Sequence, residues 1–389
     1  MTYSVKEIFY TLQGEGGNAG RPAVDGLSGP LLRETTAPIA AATKIVGLGY
    51  DRDLSLDAAL SEARKLLSTV SPDARVGKGM ALAEALEALA VELDARWEGT
   101  WKDNVVPTGL HDLDHKLTSG GFEPGQLIII GARPGAGKTA LFMQIALNAS
   151  RWARYTQEEQ PWTVFFSSEM TTKAICYRAL AETTGIPIRQ LKQGKDVLGR
   201  PLSAEVKERI GQQLEEMMSL PLWIDDTSSP TTEQMHERIE RLRTDRPLLM
   251  GGFDYLEQAG DPKGKGENEE TRVSAIAAGL KRIAKTTEIP MVGLAQLNRE
   301  VEKRADKTPT LADLRQSGRI EQEADIVLLL YREDYYVQQG LLQPTPGKEG
   351  TADIKIEKQR DGETGVVTVT FLPEITAFKS LDRSERSIA

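Results

Sequence analysis

The sequence predicts an α/β protein with a largely parallel central sheet, preceded by a small helical region. Three observations predict it. From about residue 105 onward, the short apolar runs LIIIG, TVFFSS, PLWIDD, PLLMGGF, PMVGLAQ and DIVLLLY are each bounded by turn or polar residues, as buried strands are. Helical-period segments lie between them, such as RVSAIAAGLKRIAKTT, with Val273, Ile276, Ala277, Leu280, Ile283 and Ala284 on one face. A glycine-rich turn, GARPGAGKT, joins the first apolar run to the helical pattern ALFMQIALNAS.

In chain order, residues 1–24 run into DGLSGP, a Gly/Pro break that reads as a loop. SLDAALSEARKLLSTV follows, with Leu56, Leu60, Ala63 and Leu67 at helical spacing. SPDARVGKG is a turn-rich joint. In GMALAEALEALAVELDARW, Leu82, Leu86, Leu89, Leu93 and Trp97 form a stripe, with Glu84, Glu87 and Glu92 away from it. That stripe reads either as a helix packed on its own domain or as a linker helix docked on another subunit. Further on, DPKGKGENEE is charged, glycine-rich and without large apolar residues, which predicts a mobile loop. ADIKIEK and GVVTVTF flank QRDGETG and predict a closing β-hairpin.

Composition narrows the function classes. The 389 residues are 40% hydrophobic and 27% charged, as in soluble globular proteins. No apolar run approaches the roughly 18–20 residues of a membrane span, and the N-terminus has no basic flank followed by an apolar core, so a cytoplasmic protein is expected. A single cysteine, Cys176, excludes a disulfide framework and a cysteine-held cluster; three histidines, His111, His115 and His236, make a zinc site a poor fit. The net charge of −9 speaks to solubility and leaves room for a locally basic channel.

The run Ala132, Arg133, Pro134, Gly135, Ala136, Gly137, Lys138, Thr139 has P-loop spacing, with Ala132 where glycine is commoner. Glycines let backbone N–H groups turn inward around a phosphate, and the helix N-terminus adds a favourable dipole. Lys138 can then reach β- and γ-phosphates, and the Thr139 hydroxyl can ligate Mg²⁺. An ATPase also needs acids here. Glu169, Asp225–Asp226 and Asp254 all sit at strand ends, and periodicity does not choose among them. By pattern, LWIDD is the better strand, because Gly251 and Gly252 weaken the run before Asp254.

From Pro107 to Phe378 the chain resembles the motor domain of DnaB-type replicative helicases. The resemblance is carried in order by TGLHDLDHKLTSGGFEPGQLIIIGARPGAGKT, FFSSEM, LWIDDT, FDYLEQ, LAQLNREVEKRADKTPTLADLRQSGRIEQEADIVLLLYRED and IEKQRDGETGVVTVTF. It implies a RecA-like P-loop motor using ATP and Mg²⁺. It implies Glu169 as the base that polarises water, Asp254 as the metal-associated acid, and Gln296 as a sensor of the γ-phosphate. Asp225 and Asp226 become structural. Lys358 and Arg360 match residues that reach a neighbouring subunit's nucleotide, which implies a homo-oligomeric, hexameric ring. Arg315, Gln316 and Gly318 match a channel loop on single-stranded DNA, where arginine and backbone amides follow phosphates without reading bases. NREVEKRAD is expected to be a helix leading there, adding Arg299, Lys303 and Arg304. The chain departs from the pattern at Phe253, where an aliphatic residue is usual, and at Gln316, where an acid is common; the first is expected to loosen the metal-site strand.

Residues 31–70 resemble only the last portion of that family's helical N-terminal domain, and GMALAEALEALAVELDARW resembles its linker helix. The opening KEIFYTLQGEGGNAGRPAV is similar to the start of QueE-type carboxy-deazaguanine synthases, including the loop Gln13, Gly14, Glu15, Gly16. Those radical enzymes need three cluster cysteines, and one cysteine excludes the chemistry. The expected organisation is therefore a non-functional leader over 1–24, a helical remnant plus linker helix over 25–101, and the motor over 102–389. The expected function is an ATP-driven helicase acting on single-stranded and forked DNA, with primase and a helicase loader as partners. Two other readings stand beside it: a RecA-like ATPase of recombination or signalling type, and a decayed DNA-binding protein without turnover.

Overall fold

A computed structural model describes residues 81–98, 104–260, 269–314 and 317–381. The chain divides into two units, Met1–Gly99 and Thr100–Ala389. In the first, the described residues form one helix, α1 (Leu82–Trp97). Its predicted stripe is real as a stripe and open to solvent: Leu82, Leu86, Leu89, Leu93 and Trp97 are 37–78% exposed. The 1–24 leader and the helix expected over 55–70 lie outside the described residues.

The second unit runs α2 (His111–Lys116), β1 (Leu127–Ala132), α3 (Lys138–Thr156), β2 (Trp162–Ser167), α4 (Thr172–Thr184), α5 (Ile188–Gln193), α6 (Ala204–Met218), β3 (Leu222–Asp225), α7 (Thr232–Asp245) and β4 (Leu248–Asp254). It continues through α8 (Glu269–Thr287), β5 (Met291–Gln296), α9 (Ser317–Glu323), β6 (Ile326–Tyr331), α10 (Glu333–Gln338), β7 (Thr351–Gln359), β8 (Gly365–Leu372) and β9 (Ala377–Ser380). The strands form one sheet in the order β3-β2-β4-β5-β1-β6-β7-β8-β9. Pairing is parallel from β3 to β6 and antiparallel from β6 to β9. The parallel part is the predicted α/β sheet; β9 is an addition the apolar pattern did not reveal.

The unbroken apolar runs follow from burial on both faces. Along β1, Ile128 and Ile130 join the core under α3, while Leu127 and Ile129 join the core under α7 and α8. Each such side chain contributes about 1.5–3 kcal/mol by leaving water, so the central strands admit almost no polar residue until their carboxyl ends. There the chain emerges into the crevice where α/β sheets bind ligands.

Three local expectations change. The last two residues of DPKGKGENEE, Glu269 and Glu270, open α8 rather than belonging to a loop; residues 261–268 lie outside the described residues. NREVEKRAD is not a helix of useful length: Arg299–Lys303 makes a short 3-10 turn, Lys303 pairs with Glu300, and Arg304 pairs with Asp313 at 2.7 Å. Finally, the two glycines before Asp254 do not weaken their strand. β4 is seven residues long and buried from its second residue on. A Cβ on Gly252 would stand 1.9 Å from Cζ of Phe142, and one on Gly251 would stand 2.4 Å from Sδ of Met291. The glycines are where α3 and β5 press against the strand, and Phe253, which follows them, is fully buried rather than loosening it.

Candidate active site

Four strand ends deliver the site. β1 ends at Ala132 and the chain turns through Arg133–Gly137 into α3, whose first residue is Lys138. The turn is closed by the Ala136 N–H donating to the Arg133 carbonyl at 3.0 Å. Gly135 and Gly137 adopt φ of +79° and +111°, a region L side chains rarely adopt. Pro134, Gly135 and Gly137 line a cleft of about 380 Å³ together with Lys138 and Thr139. Arg133 contributes backbone only: its guanidinium is buried and donates to the Leu297 carbonyl at 2.6 Å and to Glu302 at 2.7 Å. It braces the loop against the segment after β5.

Asp254, at the end of β4, is fully buried. Its two oxygens accept from the Thr139 hydroxyl at 2.7 Å and the Lys138 ammonium at 2.9 Å. Glu169, two residues past β2, lies 3.1 Å from the same ammonium but is half exposed. Burial alone would lower the Lys138 pKa; the charges of Asp254 and then Glu169 outweigh it and hold the ammonium above its ordinary 10.5. Lys138 also stands 4.4 Å above the Tyr255 ring. Thus one cation is clasped by two carboxylates where a polyanion would bind. Gln296, the last residue of β5, lines the cleft, and its backbone N–H donates to Glu257 at 2.9 Å.

The competing acids fall elsewhere. Asp225 ends the edge strand β3 and pairs with Arg238. Asp226 accepts the Thr172 N–H at 2.8 Å, at the start of α4; that N–H holds its carboxyl below the ordinary 3.8. The fuller strand pattern of LWIDD belongs to a strand half open to solvent, while the glycine-bearing run is central.

Sequence reasoning missed the opposite wall of the cleft. Arg332, the residue after β6, is buried, pairs with Asp334 at 2.8 Å, donates to the Ala136 carbonyl at 3.3 Å and lies 3.8 Å over the Phe371 ring. Tyr335 and Thr376 line the same wall. A basic residue at the end of a strand beside β1 was a readable signal; Phe371 comes from β8 and Thr376 from the turn between β8 and β9, which no local pattern connects to the P-loop.

Lys358 and Arg360 are not in this cleft. β7 runs antiparallel to β6, with Lys358 opposite Val327 and Gln359 opposite Ile326, and Ile326 lies level with Ile128 near the start of β1. Both cations therefore sit at the end of the sheet away from the P-loop. Lys358 donates to the Ala324 carbonyl at 2.6 Å and to that of Glu321; Arg360 donates to the Gln322 carbonyl at 3.2 Å. Of the expected DNA loop, Gly318 lies in α9, and Arg315 and Gln316 are outside the described residues.

Comparison with known proteins agrees with this geometry. Residues 105–380 match the model of the DnaB-like helicase C terminal domain. The replicative DNA helicase DnaB of Geobacillus stearothermophilus is 33% identical over 345 residues, covering 89% of this chain and 72% of that protein. The replicative DNA helicase DnaC of Bacillus subtilis is 32% identical over the same length, with the same coverage. A solved DnaB-like replicative helicase, described with its interactions with primase, superposes at a TM-score of 0.72 over 90% of this chain and 77% of that one; at 24% identity it bears on the fold. A solved ATPase domain superposes at 0.67 with 26% identity, over 78% of this chain and all of that one.

Proposed function

The chain belongs to the DnaB-like helicases, and on that premise we propose how its own residues do the family's work. It is an ATP-hydrolysing replicative DNA helicase; neither the recombination or signalling ATPase nor the protein without turnover is favoured. No helix of the described residues is long and apolar enough to cross a membrane.

The observation that carries the mechanism is the Lys138–Asp254–Thr139–Glu169 group at one end of the sheet. A P-loop metal takes one or two protein oxygens plus substrate phosphates. The cleft offers a buried carboxylate and a hydroxyl 2.7 Å apart, and no cluster of three or more metal-ligating side chains occurs among the described residues. That donor set fits Mg²⁺ bound with a nucleotide, held by Thr139 and Asp254. When bound, the ion neutralises charge on the β- and γ-phosphates. Ala132–Gly137 wrap the phosphates with backbone, and Lys138 exchanges its carboxylate partners for phosphate oxygens. Glu169, released from Lys138, accepts a proton from the attacking water. Gln296 reports the γ-phosphate to the segment that follows it. The Phe371–Arg332 wall gives the base an aromatic and cationic face.

Because Lys358 and Arg360 sit away from their own P-loop, they act on a neighbour's nucleotide, in a head-to-tail ring of about six subunits. Arg315, Gln316 and Gly318 grip single-stranded DNA phosphates in the channel. The leader over 1–24 plays no catalytic part, residues 25–101 supply the helical remnant and linker, and 102–389 is the motor. Primase and a helicase loader are its partners at a fork. The test is ATP hydrolysis stimulated by single-stranded DNA, alongside strand displacement on forked DNA. Lys138→Ala abolishes both; intact hydrolysis in that variant sinks the mechanism.

A further inference from the structure

One carboxylate anchors the end of the sheet at which Arg360 lies. Asp325, between α9 and β6, is 5% exposed. Its Oδ2 accepts the N–H of Leu127, the first residue of β1, at 2.7 Å, and also the ammonium of Lys281 from α8. Lys281 in turn donates to the Gly125 carbonyl at 2.9 Å. The other oxygen, Oδ1, faces the Arg360 guanidinium at 3.3 Å. The Arg360 N–H donates to the Asp325 carbonyl at 3.1 Å. The two oxygens thus have separate duties: the inner one is fastened to β1 and α8, and the outer one meets a cation that is itself half exposed.

A buried carboxylate needs one compensating cation, and Lys281 is that cation. Arg360 is a second one, so its presence is not explained by charge balance within the fold. It is explained by orientation. A free arginine carries about 2 kcal/mol of rotamer entropy, which the fixed carboxylate beside one nitrogen of the fork, together with the Gln322 carbonyl 3.2 Å from the other, removes in advance. The neighbouring Lys358 needs the same service. Burial, and then the charge of Arg360, push its ammonium below the ordinary 10.5, and the carbonyls of Glu321 and Ala324 at the end of α9 hold it in place.

We propose that Asp325 is the positioning residue for Arg360, holding the guanidinium at the distal end of the sheet in the orientation that meets a neighbouring subunit's nucleotide. This rests on the reading of Lys358 and Arg360 as acting in trans. Asp325 touches no nucleotide; it acts through Arg360, from a frame fixed by the first residue of the P-loop strand.

Mixed assemblies of the full-length chain test it. The variant is Asp325→Asn, with Asp325→Asn/Lys281→Met as the companion in which no buried ammonium is left without a counterion. Both are expected to bind an ATP analogue and single-stranded DNA as the unaltered chain does. Their kcat for DNA-stimulated hydrolysis falls by up to about a hundredfold, the scale of a small misplacement at a reacting centre, with little change in KM. Mixed with Glu169→Gln subunits, which carry intact distal arginines, the companion variant recovers activity; mixed with Arg360→Ala subunits it does not. An unchanged kcat, or failure to recover with Glu169→Gln, overturns the proposal, the latter because it places the damage in the variant's own P-loop strand. The control mixture of Glu169→Gln with Arg360→Ala reports on the trans reading alone. If it stays inactive, that reading falls and takes this proposal with it.

Discussion

Gly252→Ala is a small change that tests how β4, the strand ending at Asp254, is built. The added methyl would lie 1.9 Å from Cζ of Phe142, with Cε1 and Cε2 at 2.5 and 2.6 Å. Carbon atoms rest at about 3.5–4.0 Å, so the ring must retreat by roughly 1.6 Å. The ring is hemmed in at its flank as well, since Phe165, level with Gly252 on the adjacent strand, meets it edge-on with centroids 4.9 Å apart. Overpacking of this kind costs about 1–3 kcal/mol. Phe142 stands one helical turn beyond Lys138 on α3, so the displacement also disturbs the Lys138–Asp254 contact. Equilibrium urea unfolding measures the cost, and ATP-analogue titration measures the disturbance. Phe142→Ala alone costs about 3–5 kcal/mol through the cavity it leaves. In the double variant the methyl added by Gly252→Ala enters that cavity without a clash, so the double costs less than the two singles together by about 1–3 kcal/mol. A Gly252→Ala protein within about 0.5 kcal/mol of the parent, or strict additivity in the cycle, refutes the packing argument.

Three further outcomes are expected. Glu169→Gln keeps nucleotide affinity but loses hydrolysis by about two to four orders of magnitude, read in single-turnover assays; unaltered turnover removes Glu169 as the base. Asp226, whose carboxyl is held below 3.8 by the Thr172 N–H, contributes stability that is present above its unfolded pKa and lost as pH falls through the folded one. Asp226→Asn therefore narrows the loss of stability on acidification below about pH 4, and parallel acid-unfolding curves for the two proteins would contradict this. Arg315→Ala weakens single-stranded DNA binding for all sequences alike and reduces the magnitude of the salt slope by about one, measured by fluorescence anisotropy across salt; an unchanged slope removes Arg315 from the phosphate contacts.

What was legible in the sequence was whatever local pattern determines. The P-loop turn, the six parallel strands and the α8 stripe each carry their own signature within a few residues. The choice among acids was not local. LWIDD has the fuller apolar run, yet it forms a half-exposed edge strand, while LLMGGFD runs through the middle of the sheet. Nothing near Gly252 announces that Phe142, more than a hundred residues earlier, needs its space. Arg332 against Phe371 is likewise a meeting of distant segments, visible only when β8 and β9 fold back over the P-loop side. Resemblance to a known family chose Asp254 where periodicity favoured the other strand, but it offered no reason for the glycines; the packing supplies one.

The distance between Lys138 and Arg360 along a single sheet has a genetic consequence. On the proposed role of Arg360 in trans, a chain would own half of two active sites and the whole of none. Under that proposal, loss of Arg360 would spare the chain's own P-loop and silence its neighbour's, so a defective copy that still assembles would harm partners encoded by an intact gene. Substitutions at the sheet's distal end should therefore behave as dominant when co-expressed with the parent chain, whereas those that prevent assembly should be recessive.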